Sequence, residues 1–326
     1  MIRKWLAIGI ILLFIGTCII PLATSQILRR NIITVDDEPS DADYTSIKEA
    51  LNHSSPGDII EVYSGTYEEY NITITADGIS LIGMPNELGN GSDTGKPFIN
   101  GKGVNHVLNI KACNVSVSGF HIENFRVNSD CDIIVIYRGA DNCTISDNIL
   151  RYSSNSNLLC NSNFSKITDN IITDAGFRYG IILGNGHTTI SGNVIDNCPT
   201  GICFWGGSNT TVLRNRISNC SVFGIDIGGG GLNTFQYNTI ENNCVGLHIY
   251  MSVLNKVQHN NFLHNTYHAG FSLGLSLMAE NRFFQNYWDR PRLLPYPIKG
   301  TVLLVVPWVH FDWRPAIKLY NIIKMT

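Results

Sequence analysis

Between about residues 105 and 286 the apolar residues come in short runs that alternate with polar ones. Gly180-Ile-Ile-Leu183, Gly201-Ile-Cys-Phe204, Gly224-Ile-Asp-Ile227, Gly246-Leu-His-Ile249 and Gly270-Phe-Ser-Leu273 are five such runs. Period-two runs of this length predict short strands, and the Gly, Asn and Ser between them predict tight turns. No stretch of the region offers a helical face of ten residues. The runs also keep time. Asn148, Asn170, Asn193, Asn215, Asn238, Asn260 and Asn281 follow one another at gaps of 22, 23, 22, 23, 22 and 21 residues. Around them the text recurs, as in Asn142-Cys-Thr-Ile-Ser-Asp-Asn148 and His187-Thr-Thr-Ile-Ser-Gly-Asn193. Asn114-Val-Ser-Val-Ser-Gly119 reads as an earlier copy with Gly on the beat.

A fixed period of this size marks a solenoid. Leucine-rich repeats share the period but need several Leu per coil and a helix or 3₁₀ turn. Here the inward positions are Ile, Val and Phe. The prediction is therefore an all-β, right-handed, single-stranded parallel β-helix with coils of about 22 residues. Coils stack at about 4.8 Å, so the asparagines form a ladder up one corner, in turns that admit a left-handed backbone. Their role is structural.

The ends depart from the pattern. Residues 26–104 read as an N-terminal cap and first coils, 105–286 as regular repeats and 287–326 as a C-terminal cap. Tyr44-Thr-Ser-Ile-Lys-Glu-Ala-Leu51 predicts a short helix with Ile47, Ala50 and Leu51 on one side, laid across the open first coil. At the other end Pro291-Arg-Leu-Leu-Pro-Tyr-Pro297 breaks the repeat, and Val302-Leu-Leu-Val-Val306 predicts a last strand. Trp308 and Trp313 are expected as the lid on the final coil.

Residues 1–25 read as a signal peptide or an N-terminal membrane anchor. Arg3 and Lys4 precede an apolar run over residues 5–23, and Ala23-Thr-Ser25 is a small-x-small cleavage signal. The run is also long enough to span a bilayer. An extracellular or cell-surface location follows. Cys18 sits in a poor lipobox. Loss of residues 1–25 takes the net charge from −3 to −5, and no basic stripe exists for nucleic acid. Eight cysteines remain beyond Cys18. Cys198 and Cys220 occupy equivalent places, which predicts stacked free thiols; a disulfide among Cys198, Cys220 and Cys244 is the alternative. Asn-x-Ser/Thr sequons, among them Asn142 and Asn209, are what an Asn- and Thr-rich repeat generates by composition.

Asp43-Tyr-Thr-Ser-Ile47, Gly57-Asp-Ile-Ile60, Gly65-Thr-Tyr67, the Asn/Gly coils and Asn286-Tyr-Trp288 together resemble the pectin-lyase-like β-helix superfamily. More narrowly, residues 33–315 resemble its NosD-like, periplasmic copper-binding branch. The resemblance implies the fold, and either a carbohydrate-binding or sugar-hydrolase type module or an accessory role in copper-enzyme maturation. Such coils serve lyases, hydrolases, adhesins and accessory proteins alike. The Asp-Pro-His-Asp of alginate epimerases and the Asn-Thr-Asp and Gly-His-Gly set of polygalacturonases are absent.

Aligning the five strands on their glycines gives the candidate site. The second and fourth places after each Gly face outward. Asp226 and His248 then lie side by side on adjacent coils, where a carboxylate and an imidazole can do acid/base work. Trp205 and Tyr250 flank them as platforms for a sugar ring. Arg178 and His268, two places before their glycines, share that face. One carboxylate falls short of the pair that glycoside hydrolysis uses and of the acidic cluster that calcium-assisted lyases use. Cys203, His248 and Met251 lie near one another by register, a sparse set for copper. The expectation is a non-enzymatic, glycan-binding or scaffolding surface protein, with copper or calcium as the cofactors to test and a polysaccharide lyase or hydrolase as the alternative.

Overall fold

The computed structural model describes residues 30–39, 41–89, 91–124, 130–274 and 280–322. The segment read as a signal or anchor lies outside them. Among the described residues no helix is long and apolar enough to cross a membrane.

The chain winds into a parallel β-solenoid of about 11 turns. Its strands form a 10-stranded sheet and a 22-stranded sheet. The larger sheet is two parallel stacks joined at the C-terminal end by an antiparallel hairpin of Tyr296–Val302 and Val306–Asp312. Like stacks on like along the axis: Ile145, Ile167, Ile190, Val212, Phe235, Val257 and Phe283 pair in one continuous row. All are buried. Each buried Ile, Val or Phe of this kind contributes about 1.5–3 kcal/mol by leaving water.

The asparagines form the expected ladder, inside the corner rather than on it. Asn193 Oδ1 accepts from the backbone N–H and the amide of Asn170, both at 3.0 Å. Its own amide donates to Ile167 O at 2.8 Å, Ser191 O at 3.1 Å and Asn215 Oδ1 at 2.9 Å. The same bonds run from Asn148 to Asn260. The left-handed residue is the one before each rung: Asp147, Asp169, Gly192, Arg214, Tyr237 and His259 all have positive φ. Gly119 (φ 87°) therefore holds the turn place, and Phe120 holds the rung, donating its N–H to Asn148 Oδ1.

Asn281 is not in this ladder. Asn260 bonds instead to Asn286, 26 residues on, and Asn286 ends on the Asp312 carboxylate. Asn281 closes a second ladder, Asn233–Asn255–Asn281, at another corner. A third corner stacks Cys198, Cys220, Asn243 and Asn265. A Cβ on Gly180 would meet the Cys198 sulfur at 3.2 Å, and one on Gly201 the Cys220 sulfur at 3.2 Å. The described cysteines are all free. The thiols of Cys198 and Cys220 are buried, and burial pushes Cys220 up to about 12.

At the N-terminal end the helix Ile47–Asn52 buries Ile47, Ala50 and Leu51. Ser46 accepts from Glu49 N, and the Glu69 carboxylate takes the free N–H groups of Ile47 and Lys48. At the C-terminal end two expectations are corrected. Leu303 and Leu304 have positive φ and make a hairpin turn, so 302–306 is not one strand. Trp308 and Trp313 are exposed, at 51% and 69%. The buried lid is Trp288, stacked on Phe262 at 4.5 Å and on Tyr296 at 4.2 Å, with its indole N–H donated to Asp312 Oδ2 at 3.1 Å.

Candidate functional site

Strands Tyr179–Leu183, Thr200–Trp205, Phe223–Gly228, Val245–Tyr250 and Tyr267–Ser272 lie side by side. One glycine in each of the first four marks a corner. A Cβ on Gly201, Gly224 or Gly246 would meet the carbonyl of the equivalent residue on the next coil at 2.5 to 2.7 Å. Beyond that corner Ile225 and Ile227 are fully buried with Asp226 half-buried between them, and Leu247 and Ile249 likewise flank His248, whereas the outward places Ile182 and Cys203 of the two earlier strands are buried.

Asp226 pairs with His248 in register, and His248 Nδ1 stands 2.8 Å from Asp226 Oδ1. An ionised carboxylate only accepts, so in this contact Nδ1 carries the proton and Nε2 is the ring's other nitrogen. Both side chains are a quarter exposed. Phe223 stacks on the imidazole at 4.9 Å with planes 14° apart, and the Tyr250 ring lies 6.4 Å from it with planes 24° apart. The imidazole is thus held by one hydrogen bond and flanked by two rings.

Trp205 and Tyr250 are exposed, at 59% and 43%. Both pair with Gly228, which puts a gap between them beside the Asp226–His248 pair. Tyr267 adds a third exposed ring, two places before Ala269 in the next coil. Phe223, Tyr267 and Tyr179 escape a count made at the second and fourth places after each glycine and the second place before it. Tyr179 and Phe223 sit immediately before their glycines, a column that the same repeat would have exposed.

The structure does not bring Arg178 or His268 to the pair. Arg178 is exposed at the entry of a strand two coils from Asp226. His268 fills the corner place that Gly246 holds one coil earlier, because the last strand is shifted by two: His248 pairs with Gly270, not Ser272. Its ring turns to Trp288 and Tyr296, at 6.2 and 6.1 Å, and burial lowers its pKa.

The copper set fails as a site. Cys203 is 2% exposed, roofed beside the edge-on Tyr179–Trp205 pair, and burial with the Asp226 charge pushes its thiol up to about 12. Asp226 lies between Cys203 and His248 in the strand order. Met251 sits in a left-handed turn with its side chain exposed. Cys203 and His248 thus stand two strands apart, and among the described residues neither belongs to a cluster of three His, Cys, Asp or Glu ligand atoms.

A second concavity lies near the C-terminal end. The hairpin leans over the outer faces of strands Lys256–Gln258 and Arg282–Phe284 and encloses a groove of about 770 Å³. Trp308 and Trp313 line it, opposite Lys256 and Arg282. The hairpin that forms it was hidden in sequence by the reading of 302–306 as one strand.

No curated protein matches the chain in sequence. Its fold is shared by a lacto-N-biosidase of family GH136 from Eubacterium ramulus, at a TM-score of 0.61 and 13% identity over 88% of this chain and 68% of that one. XylC, solved in complex with xylose, aligns at a TM-score of 0.58 and 11% identity, covering 86% and 73%. PfbA, a surface adhesin of Streptococcus pneumoniae, aligns at 0.55 and 13%, covering 75% of each. Residues 99–290, more than half of the chain, match the family described as periplasmic copper-binding protein (NosD), and the chain belongs to that NosD family of β-helix proteins.

Proposed function

We propose that this chain is an exported glycan-binding protein of the cell surface or periplasm. Its binding face is the row of strands that carries Asp226 and His248. The observation that carries this reading is the pair itself, 2.8 Å apart and stacked by Phe223, set beside the gap between the exposed rings of Trp205 and Tyr250. Sugar rings offer apolar faces to aromatic side chains and hydroxyls to carboxylate and imidazole, and this face presents both kinds of group. The fold neighbours include a lacto-N-biosidase, a xylose complex and a surface adhesin, which supports a carbohydrate ligand without naming it. Copper-enzyme maturation, which the family description suggests, gains no donor set from Cys203, His248 and Met251.

A second reading is favoured by one feature. A carboxylate hydrogen-bonded to the Nδ1 of a partly exposed imidazole is an arrangement suited to general base work, as in a polysaccharide lyase or hydrolase. One experiment separates the two. The purified chain is titrated with uronate polymers and neutral glycans, while the ultraviolet band of unsaturated uronates and new reducing ends are followed. Binding without product supports the binding role; product that disappears in Asp226→Asn and His248→Gln supports the enzyme. Binding unchanged in Trp205→Ala, Tyr250→Ala and Asp226→Asn removes this face from either role.

A further inference from the structure

The N-terminal coils contain a group of carboxylates that the glycan face does not use. Asp36, Asp37 and Glu38 follow the strand Ile32–Val35, and Glu87 and Asp93 come from the loop after the strand Ser80–Gly83. Asp36, Asp37 and Glu38 each place an oxygen within 4.8 Å of the others, and Glu38, Glu87 and Asp93 do the same. Glu38 belongs to both sets. Among the described residues, no Lys, Arg or His is ion-paired with any of the five.

Acidic surface clusters are common, and this one differs in a single respect. Asp36 is 0% exposed, and neither of its carboxylate oxygens has a hydrogen-bond donor. Asp37 Oδ1 and Glu38 Oε2 are likewise buried without a partner. A buried carboxylate without donor or counter-charge is among the most unfavourable groups a fold can hold. The surroundings nevertheless fix these groups in place. Asp37 Oδ2 accepts from Thr66 N at 3.0 Å, and a side chain at Gly65 would collide with the Asp37 carboxylate. Glu87 Oε2 accepts from Asp93 N at 2.9 Å, and a side chain at Gly91 would collide with Glu87. The backbone thus makes room for the acids and aims them at one another.

We propose that Asp36, Asp37, Glu38, Glu87 and Asp93 form a binding site for a hard divalent cation of the calcium class. All the donors are carboxylate oxygens, which suits calcium, magnesium or manganese and not a soft metal. The ion ties the first strand to the loop two coils later and supplies the charge that the protein lacks there. This site stands apart from the glycan face and does not depend on it.

The test uses the purified chain, stripped of metal with a chelator. Terbium, which replaces calcium and is sensitised by a nearby tyrosine, is expected to bind one ion per chain beside Tyr67, and calcium to displace it. Calcium is expected to raise Tm by several degrees. Asp36→Asn and Glu38→Gln should each weaken binding at least tenfold, and chelator should then leave their Tm unchanged. If Asp36→Asn does not fold, Glu38→Gln and the exposed Asp93→Asn give the same reading. Absence of bound calcium, magnesium and manganese by equilibrium dialysis at millimolar ion overturns the proposal. So does binding that is unaffected by Glu38→Gln and Asp93→Asn together.

Discussion

Trp205 and Tyr250 stand on either side of Gly228, each one strand spacing from it, so their strands lie about 9.6 Å apart with no side chain between them. A pyranose ring, with an apolar C–H face on each side, fits such a slot. Trp205→Ala and Tyr250→Ala are each expected to weaken glycan binding about tenfold, which is about 1.4 kcal/mol. Filling the slot is the sharper test. A Cβ at Gly228 meets only Phe204 O, at 3.0 Å, so Gly228→Leu asks for a small backbone adjustment. It should abolish binding in a calorimetric titration while the circular dichroism spectrum is retained.

The central ladder is expected to be brittle. Asn215 Oδ1 accepts two bonds from Asn193, and its amide donates to Ile190 O, Leu213 O and Asn238 Oδ1. Asn215→Ala strands donors and acceptors on three coils at once. A loss of about 3 kcal/mol or more in urea denaturation is predicted, since each buried unpaired group costs about 1–3 kcal/mol.

The end of that ladder is equally exposed to mutation. The Asp312 carboxylate accepts from Gln285 N, Asn286 N, the Asn286 amide, Trp288 Nε1 and Arg314 N. Asp312→Ala should cost about 3–5 kcal/mol and release the Trp288 lid. Indole fluorescence would report the release as a red shift; an unshifted spectrum and an unchanged midpoint would refute it.

The thiols sort by burial. Cys244 is exposed, whereas Cys160, Cys198 and Cys220 are enclosed and held protonated by the apolar surroundings. A thiol reagent at neutral pH should modify Cys244 within minutes and the three buried thiols only after denaturant is added.

Acid should stabilise the chelated protein through Asp36. Its carboxyl is raised from 3.8 to about 7, first by burial and then by Glu87, Glu38 and Asp37. Tyr63 and Tyr67 also feel the Asp36 charge, and among the described residues no Lys, Arg or His is ion-paired with Asp36. Because the folded carboxyl holds its proton more tightly than the unfolded one, the folded state binds more protons between those two values. Its contribution therefore rises as pH falls from about 7 towards 4. The difference in stability between the wild type and Asp36→Asn, measured across that range in chelator, should follow this trend. Calcium should flatten it.

Much of the fold was legible because its period is long-range evidence. Seven asparagines at nearly equal gaps determine coil length, and coil length determines that Asp226 meets His248. What was misread lies where the period changes. The last coil stretches the ladder spacing from 22 to 26 residues, which moves the rung from Asn281 to Asn286. Gly270 copies the sequence mark of the corner, but its Cβ would meet nothing nearer than Lys299 O at 3.6 Å. It is not a corner glycine. His268 takes the corner because the neighbour there is the hairpin and the Trp288 lid, which leave room for a ring. The carboxylates around Asp36 were invisible for another reason: Glu87 and Asp93 arrive from a loop outside the repeat.

The asparagine ladder has a direction. In each rung the backbone N–H and the amide both donate to the Oδ1 of the rung on the next coil, while the amide also reaches back to a carbonyl of the coil before; the run of Oδ1 acceptors alone points one way, and a further asparagine would prolong it. Asp312 takes and has nothing to pass on. One carboxylate, with no amide hydrogens to hand on, therefore serves as the full stop of the ladder.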